Sequence, residues 1–136
     1  MNFDCVGTDE KGRFYMKMNK PFTIVEKIQL LQRWVLVQSY AYYELDNNII
    51  SDFKYDTNVM QLKDMVTKYP EEARRSKYFK YFHDFFEGEF VNTSGFNLIQ
   101  RVKSMDEDLY ELLNFDATLA LQLQEEKQNA GDTNHF

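Results

Sequence analysis

A helix signal opening at Thr23 constrains this chain more than anything else in it. Thr23 and Glu26 have the capping-box spacing, in which a hydroxyl at the helix N-terminus and a carboxylate three residues on satisfy each other's backbone N–H groups. Ile24, Ile28, Leu31 and Val35 then recur at helical intervals. The run reaches about Leu45 and stops at Asp46-Asn47-Asn48, a turn-forming cluster. A second helix opens at Ser51-Asp52, where a capping hydroxyl and a first-turn carboxylate both suit the positive helix end. Val59, Leu62 and Val66 mark its buried stripe, and it stops before Pro70. Pro70-Glu71-Glu72 starts a third, short helix. A helical hairpin is therefore expected at the centre of the fold.

The flanks are less regular. In residues 1–22 the turn signal Asp9–Gly12 separates two short runs, and Phe14, Met16 and Met18 alternate with charged residues, which predicts a small hairpin or an irregular arm. Tyr78 to Phe86 is a dense aromatic run, too crowded for one helical face, and a Gly-containing loop from Gly88 to Gly95 follows it. Phe96 to Val102 reads as a short helix. Ser104 and Glu107 repeat the capping-box spacing ahead of a last helix with Leu109, Leu112, Leu119 and Leu123 on one face. Asn114-Phe115-Asp116 is a point where that helix could bend or split, and residues 128–136 read as a polar, flexible tail. The expectation is a mostly α single domain. It has an arm or hairpin at 1–22, a helical module at 23–77, an aromatic and acidic helical extension at 78–127, and a tail.

Composition narrows the function classes. One cysteine, Cys5, leaves no internal disulfide framework and no cysteine-rich zinc site, and it fits a reducing cytoplasm. No stretch approaches the 18 apolar residues of a membrane span, and the first residues have no apolar signal core, so no membrane role is expected. The net charge of −6 is uneven: residues 1–103 stand near +1 and residues 104–136 near −7. Nucleic-acid binding needs a net basic face. The best basic cluster, Arg74, Arg75, Lys77 and Lys80, follows directly on Glu71 and Glu72, so direct nucleic-acid binding is not expected. His83, between Phe82 and Asp84, has no nucleophile near it in sequence, and no metal ligand set or catalytic residue is assigned.

The informative stretch runs from Tyr40 to Glu71. It holds the pair Tyr42-Tyr43, then Asp46, Ile50-Ser51-Asp52, Tyr55-Asp56, a helix, and Tyr69-Pro70-Glu71. Each dipeptide alone is uninformative, but together, at fixed spacing over about 32 residues, they resemble the NMN-binding N-terminal subdomain (domain Ia) of bacterial NAD-dependent DNA ligases. That family has a Tyr-Tyr or Tyr-His pair, an Asp three residues on, Ile-Ser-Asp or Ile-Pro-Asp, Tyr-Asp, and a helix ending in His-Pro-Glu. Here Asn48 stands where the family usually has Pro, and Tyr69 replaces the His. The resemblance implies that Tyr42, Tyr43, Asp52, Tyr55 and Asp56 would contact NMN or the NMN half of NAD. Those residue types suit such a ligand, since tyrosine rings stack on a flat cationic ring and carboxylates accept from ribose hydroxyls. Asp52, Tyr55 and Asp56, at i, i+3 and i+4, share one helical face.

The family's nucleotidyltransferase centre needs a Lys-x-Asp-Gly motif whose lysine attacks the adenylyl phosphate. No such tetrad occurs in these 136 residues. The resemblance therefore implies a non-catalytic, stand-alone phage-type ligase-related module, with NMN or NAD as a possible ligand and a nucleotide-handling protein as partner. The same residues also serve as ordinary turn, cap and packing chemistry. A different class of function rests on the acidic last helix: Asp106, Glu107, Asp108, Glu111 and Asp116 would address a basic protein surface, as in a small phage or mobile-element inhibitor of a host nucleic-acid enzyme such as a CRISPR nuclease.

Overall fold

The structure, a computed structural model, describes residues 6–8, 10–11, 13–16, 22–84 and 95–133. In chain order its elements are β1 (Val6–Thr8), β2 (Phe14–Met16), α1 (Ile24–Glu44), α2 (Asp52–Lys68), α3 (Pro70–Arg74), α4 (Phe79–Phe82), α5 (Gly95–Met105) and α6 (Glu107–Thr133). The fold is mostly helical, as the periodicities predict. β1 and β2 pair antiparallel, with Val6 opposite Met16 and Thr8 opposite Phe14. Met18, Phe85, Phe86 and residues 88–94 of the Gly-containing loop lie outside the described residues. Among the described residues, no helix is long and apolar enough to cross a membrane.

α1 is the hub. It opens on the expected capping box: the Thr23 hydroxyl accepts from the Glu26 N–H, and the Glu26 carboxylate accepts from the Thr23 N–H, both at 3.1 Å. α2, α3, α5 and α6 all pack against it. One apolar stripe was expected, but every residue from Leu30 to Ala41 except Trp34 is buried. A helix surrounded by partners has no solvent face to keep polar. Ile28, Val35, Leu36, Val37 and Ala41 are completely enclosed, and each large one contributes about 1.5–3 kcal/mol by leaving water.

The polar residues buried on α1 are each tied to a different neighbour. Gln32 Nε2 donates to Ser76 Oγ at 3.0 Å, and Gln38 Nε2 donates to Asn58 Oδ1 at 3.2 Å. The Ser39 and Tyr55 hydroxyls share a hydrogen at 3.0 Å. Arg33 donates to Asp116 Oδ2 at 2.8 Å and to the Tyr78 hydroxyl at 3.0 Å. Because buried polar groups are costly unless bonded, these pairs set how α2, the 76–78 turn and α6 are placed around α1.

The C-terminal half differs from its expected boundaries. α5 runs through Ser104 to Met105, so the cap of α6 is Asp106 and not Ser104: Asp106 Oδ1 accepts from the Leu109 N–H at 3.0 Å. α6 is continuous through Asn114-Phe115-Asp116 and extends to Thr133, into the stretch expected to be a flexible tail from Gln128. Its inward residues are Leu109, Leu113, Asp116 and Ala117, while Leu112, Phe115, Leu119 and Leu123 are exposed. The leucines expected on one face are therefore divided between the core and the surface.

Candidate functional site

The α1–α2 turn shapes the site. Asp46 takes a positive φ of 50°, a conformation that aspartate tolerates better than most residues. The Asn47 N–H then returns to the Ala41 carbonyl at 3.0 Å, and Ser51 Oγ caps α2 through the Lys54 N–H at 3.3 Å. Between the two helices lies a cavity of about 280 Å³. α1 lines it with Gln38, Ser39, Tyr42 and Tyr43, the turn with Asn48, Ile49 and Ile50, and α2 with Asp52, Tyr55 and Asp56. The structure thus brings Tyr42, Tyr43, Asp52, Tyr55 and Asp56 together around one space.

The wall is aromatic and the mouth anionic. Tyr42 and Tyr43 are about half exposed, and their rings meet edge-to-face with centroids 4.7 Å apart. Asp52 and Asp56 are exposed on α2, one helical turn apart. Tyr55 lies deeper, and burial pushes its hydroxyl pKa up, with the Ser39 hydrogen bond acting in the opposite direction. It therefore keeps its proton at neutral pH and remains a donor. Chemically, the arrangement can hold a flat cationic ring against tyrosine faces and accept from hydroxyl groups at the carboxylates.

Several lining residues were not singled out in sequence. Gln38 and Ser39 lie one turn before Tyr42 and Tyr43, so helical spacing alone could have found them. Gly95 and Phe96, which touch lining residues without lining the cavity themselves, gave no signal, because they come from the first turn of α5, far along the chain. A Cβ built on Gly95 would stand 2.8 Å from Ser39 Oγ, 2.9 Å from Tyr43 Cε2 and 3.0 Å from the Tyr55 hydroxyl. The Phe96 ring meets Tyr43 edge-to-face at 5.8 Å. The extension therefore supports the back of the cavity.

The five acidic candidates do not form one surface. Asp116 is buried in its pair with Arg33 and is withdrawn from any surface role, because a carboxylate enclosed at 5% exposure is occupied by the guanidinium. Asp106 is engaged as the α6 cap and accepts from the Tyr81 hydroxyl at 3.2 Å. Glu107, Asp108 and Glu111 are exposed. The basic cluster is engaged locally: Arg74 pairs with Glu71 and Arg75 with Glu72, while Lys77 and Lys80 lie over the Tyr78 and Tyr81 rings. Both Asp84 oxygens accept from Arg101, at 2.8 and 3.1 Å, so this carboxylate is held chiefly by the guanidinium.

Comparison with known proteins gives the same region a name. Residues 22–76 match the family described as DNA ligase-like, N-terminal NAD+-binding domain. A DNA ligase of Malacoplasma penetrans is 34% identical over 58 residues, which is 43% of this chain and 8% of the ligase. A DNA ligase of Flavobacterium johnsoniae is 42% identical over 48 residues, 35% of this chain and 7% of the ligase. The chain thus spans less than a tenth of the length of these relatives, and the match covers their NAD+-binding region and not their catalytic one. No solved structure matches it significantly. Through residues 22–76, the helical hairpin with its cavity and the short α3, the chain is similar to the N-terminal NAD+-binding domain of DNA ligases.

Proposed function

We propose that this protein is a non-catalytic binding module whose α1–α2 cavity takes NMN, or the NMN half of NAD. The observation that carries this reading is the convergence of Tyr42, Tyr43, Asp52, Tyr55 and Asp56 on one cavity of about 280 Å³. The tyrosines supply ring faces for the cationic nicotinamide, and the two aspartates accept from ribose hydroxyls. Much of the cavity is open to solvent and few groups contact the ligand, so affinity is weak, on the order of high micromolar to millimolar. The alternative of an acidic helix docking on a basic protein partner is less well supported. Of the five carboxylates assigned to that surface, Asp106 caps α6 and Asp116 is buried on Arg33, which leaves Glu107, Asp108 and Glu111 exposed.

NMR titration of labelled protein with NMN, NAD and AMP tests the reading. Saturable shifts at Tyr42, Tyr43 and Tyr55 with NMN and NAD but not AMP, lost in Asp56→Ala, are expected. Asp56 is exposed, so its removal leaves the fold intact. Silence up to roughly 10 mM, weaker than an affinity worth about 4 kcal/mol, would make the cluster a structural remnant.

A further inference from the structure

One residue lining the same cavity has a feature that packing does not explain. Gln38 lines the cavity and is 5% exposed. Its Nε2 donates to Asn58 Oδ1 at 3.2 Å, and Asn58, on α2, is fully enclosed. The glutamine amide thus has its nitrogen toward Asn58 and its oxygen turned away. That oxygen, Gln38 Oε1, is buried with no hydrogen-bond partner. Native proteins satisfy nearly all buried acceptors, and an orphan calls for an explanation such as a missing ligand.

The same cavity is also lined by a donor. Ser39 and Tyr55 line the same cavity, and their hydroxyls are 3.0 Å apart. One of the two donates to the other, which leaves the accepting hydroxyl with its own hydrogen to offer elsewhere. The residues lining the cavity therefore include one unsatisfied neutral acceptor and one neutral donor. A primary carboxamide offers the complement, an N–H to give and a carbonyl to accept. The exposed Asp52 and Asp56 are two acceptors and suit hydroxyls instead.

We infer that Gln38 Oε1 is the acceptor for the carboxamide N–H of a pyridine ring held in this cavity, with the Ser39–Tyr55 hydroxyl pair donating to the carboxamide oxygen. This rests on the nucleotide reading above and adds to it the group that is recognised. The terminal torsion of glutamine is broad, so a small rotation aims the oxygen at an occupant. A carboxylate in the same position would set an anionic oxygen against Gln38 Oε1 and lose its hydration.

The test compares NMN with its 3-acetylpyridine analogue on the full chain. The analogue keeps the cationic ring, the carbonyl, the ribose and the phosphate and replaces only the NH2 by a methyl. Titration followed by NMR is expected to show the analogue binding about tenfold more weakly, the loss of one well-placed hydrogen bond. Gln38→Met, close in volume and lacking the acceptor, is expected to weaken NMN to the level of the analogue while leaving the analogue unchanged. Equal affinity of NMN and the analogue for the wild-type chain overturns the role of Gln38 and leaves nucleotide binding standing. Absence of binding by either overturns the functional reading itself. The wild-type comparison does not depend on the variant folding.

Discussion

Tyr43 shows how far single residues can be read from sequence. Its position beside Tyr42, and its spacing to Asp52, Tyr55 and Asp56, lie within one helix, one turn and the next helix, where helical geometry fixes neighbours without knowledge of the rest of the fold. What stands behind the ring does not follow from local spacing. Gly95 reaches it from a helix more than fifty residues further along the chain, and that close approach depends on how α5 lies across α1. The absent Cβ is what allows the contact. Gly95→Ala is expected to destabilise the protein by about 1–3 kcal/mol through overpacking, offset by up to about 1 kcal/mol of helix propensity gained. A lower urea midpoint measures it, and an unchanged or higher midpoint would mean that the Tyr43 ring yields freely.

At the scale of elements, ends were harder to read than interiors. α1 and α2 begin at the residues their caps indicate. Between α5 and α6 the Ser104/Glu107 spacing misled, because the stronger signal is one residue that serves two helices: the Asp106 N–H closes α5 on the Val102 carbonyl at 2.8 Å, and its side chain opens α6. The inward stripe of α6 was misread for a related reason, since it contains Asp116, whose charge counts as surface until its partner is known. The Leu109 N–H bond, assisted by Tyr81 and by Lys80 and Lys77, holds the Asp106 carboxyl below the usual carboxylate range, against the opposing effect of desolvation. A carboxyl with a depressed folded pKa stabilises the fold above its unfolded pKa of about 3.9, and this contribution is lost as pH falls through the folded pKa. Stability to urea is therefore expected to decline below about pH 4–5, and Asp106→Asn, which retains a capping oxygen, to flatten part of that decline. A residual slope is expected from Asp84, held low in the same way chiefly by its Arg101 hydrogen bonds. On the alkaline side the sign reverses. Burial, with Asp106 adding to it, pushes the Tyr81 hydroxyl up to about 12, so its contribution is complete below about pH 10 and fades above it.

For the molecule as a whole, the ligase-like segment and the extension are one structure, since α1 is enclosed by both. Arg33 belongs to the first and Asp116 to the second, and both are buried. Removing one member of a buried pair strands the other, at a cost of about 3–5 kcal/mol. Asp116→Ala is expected to lose that much in urea unfolding, and Arg33→Met in the same background to recover a large part of it. Failure of the second change to rescue would show that the pair is not the source of the loss. The pairing also has a consequence in time. The two residues are 83 positions apart, and at about 5–20 residues per second of synthesis the carboxylate is made roughly 4–17 s after the guanidinium it neutralises. Until then the Arg33 face of α1 has no α6 to cover it and its cation stays hydrated, so this side of the core is expected to close only late in translation.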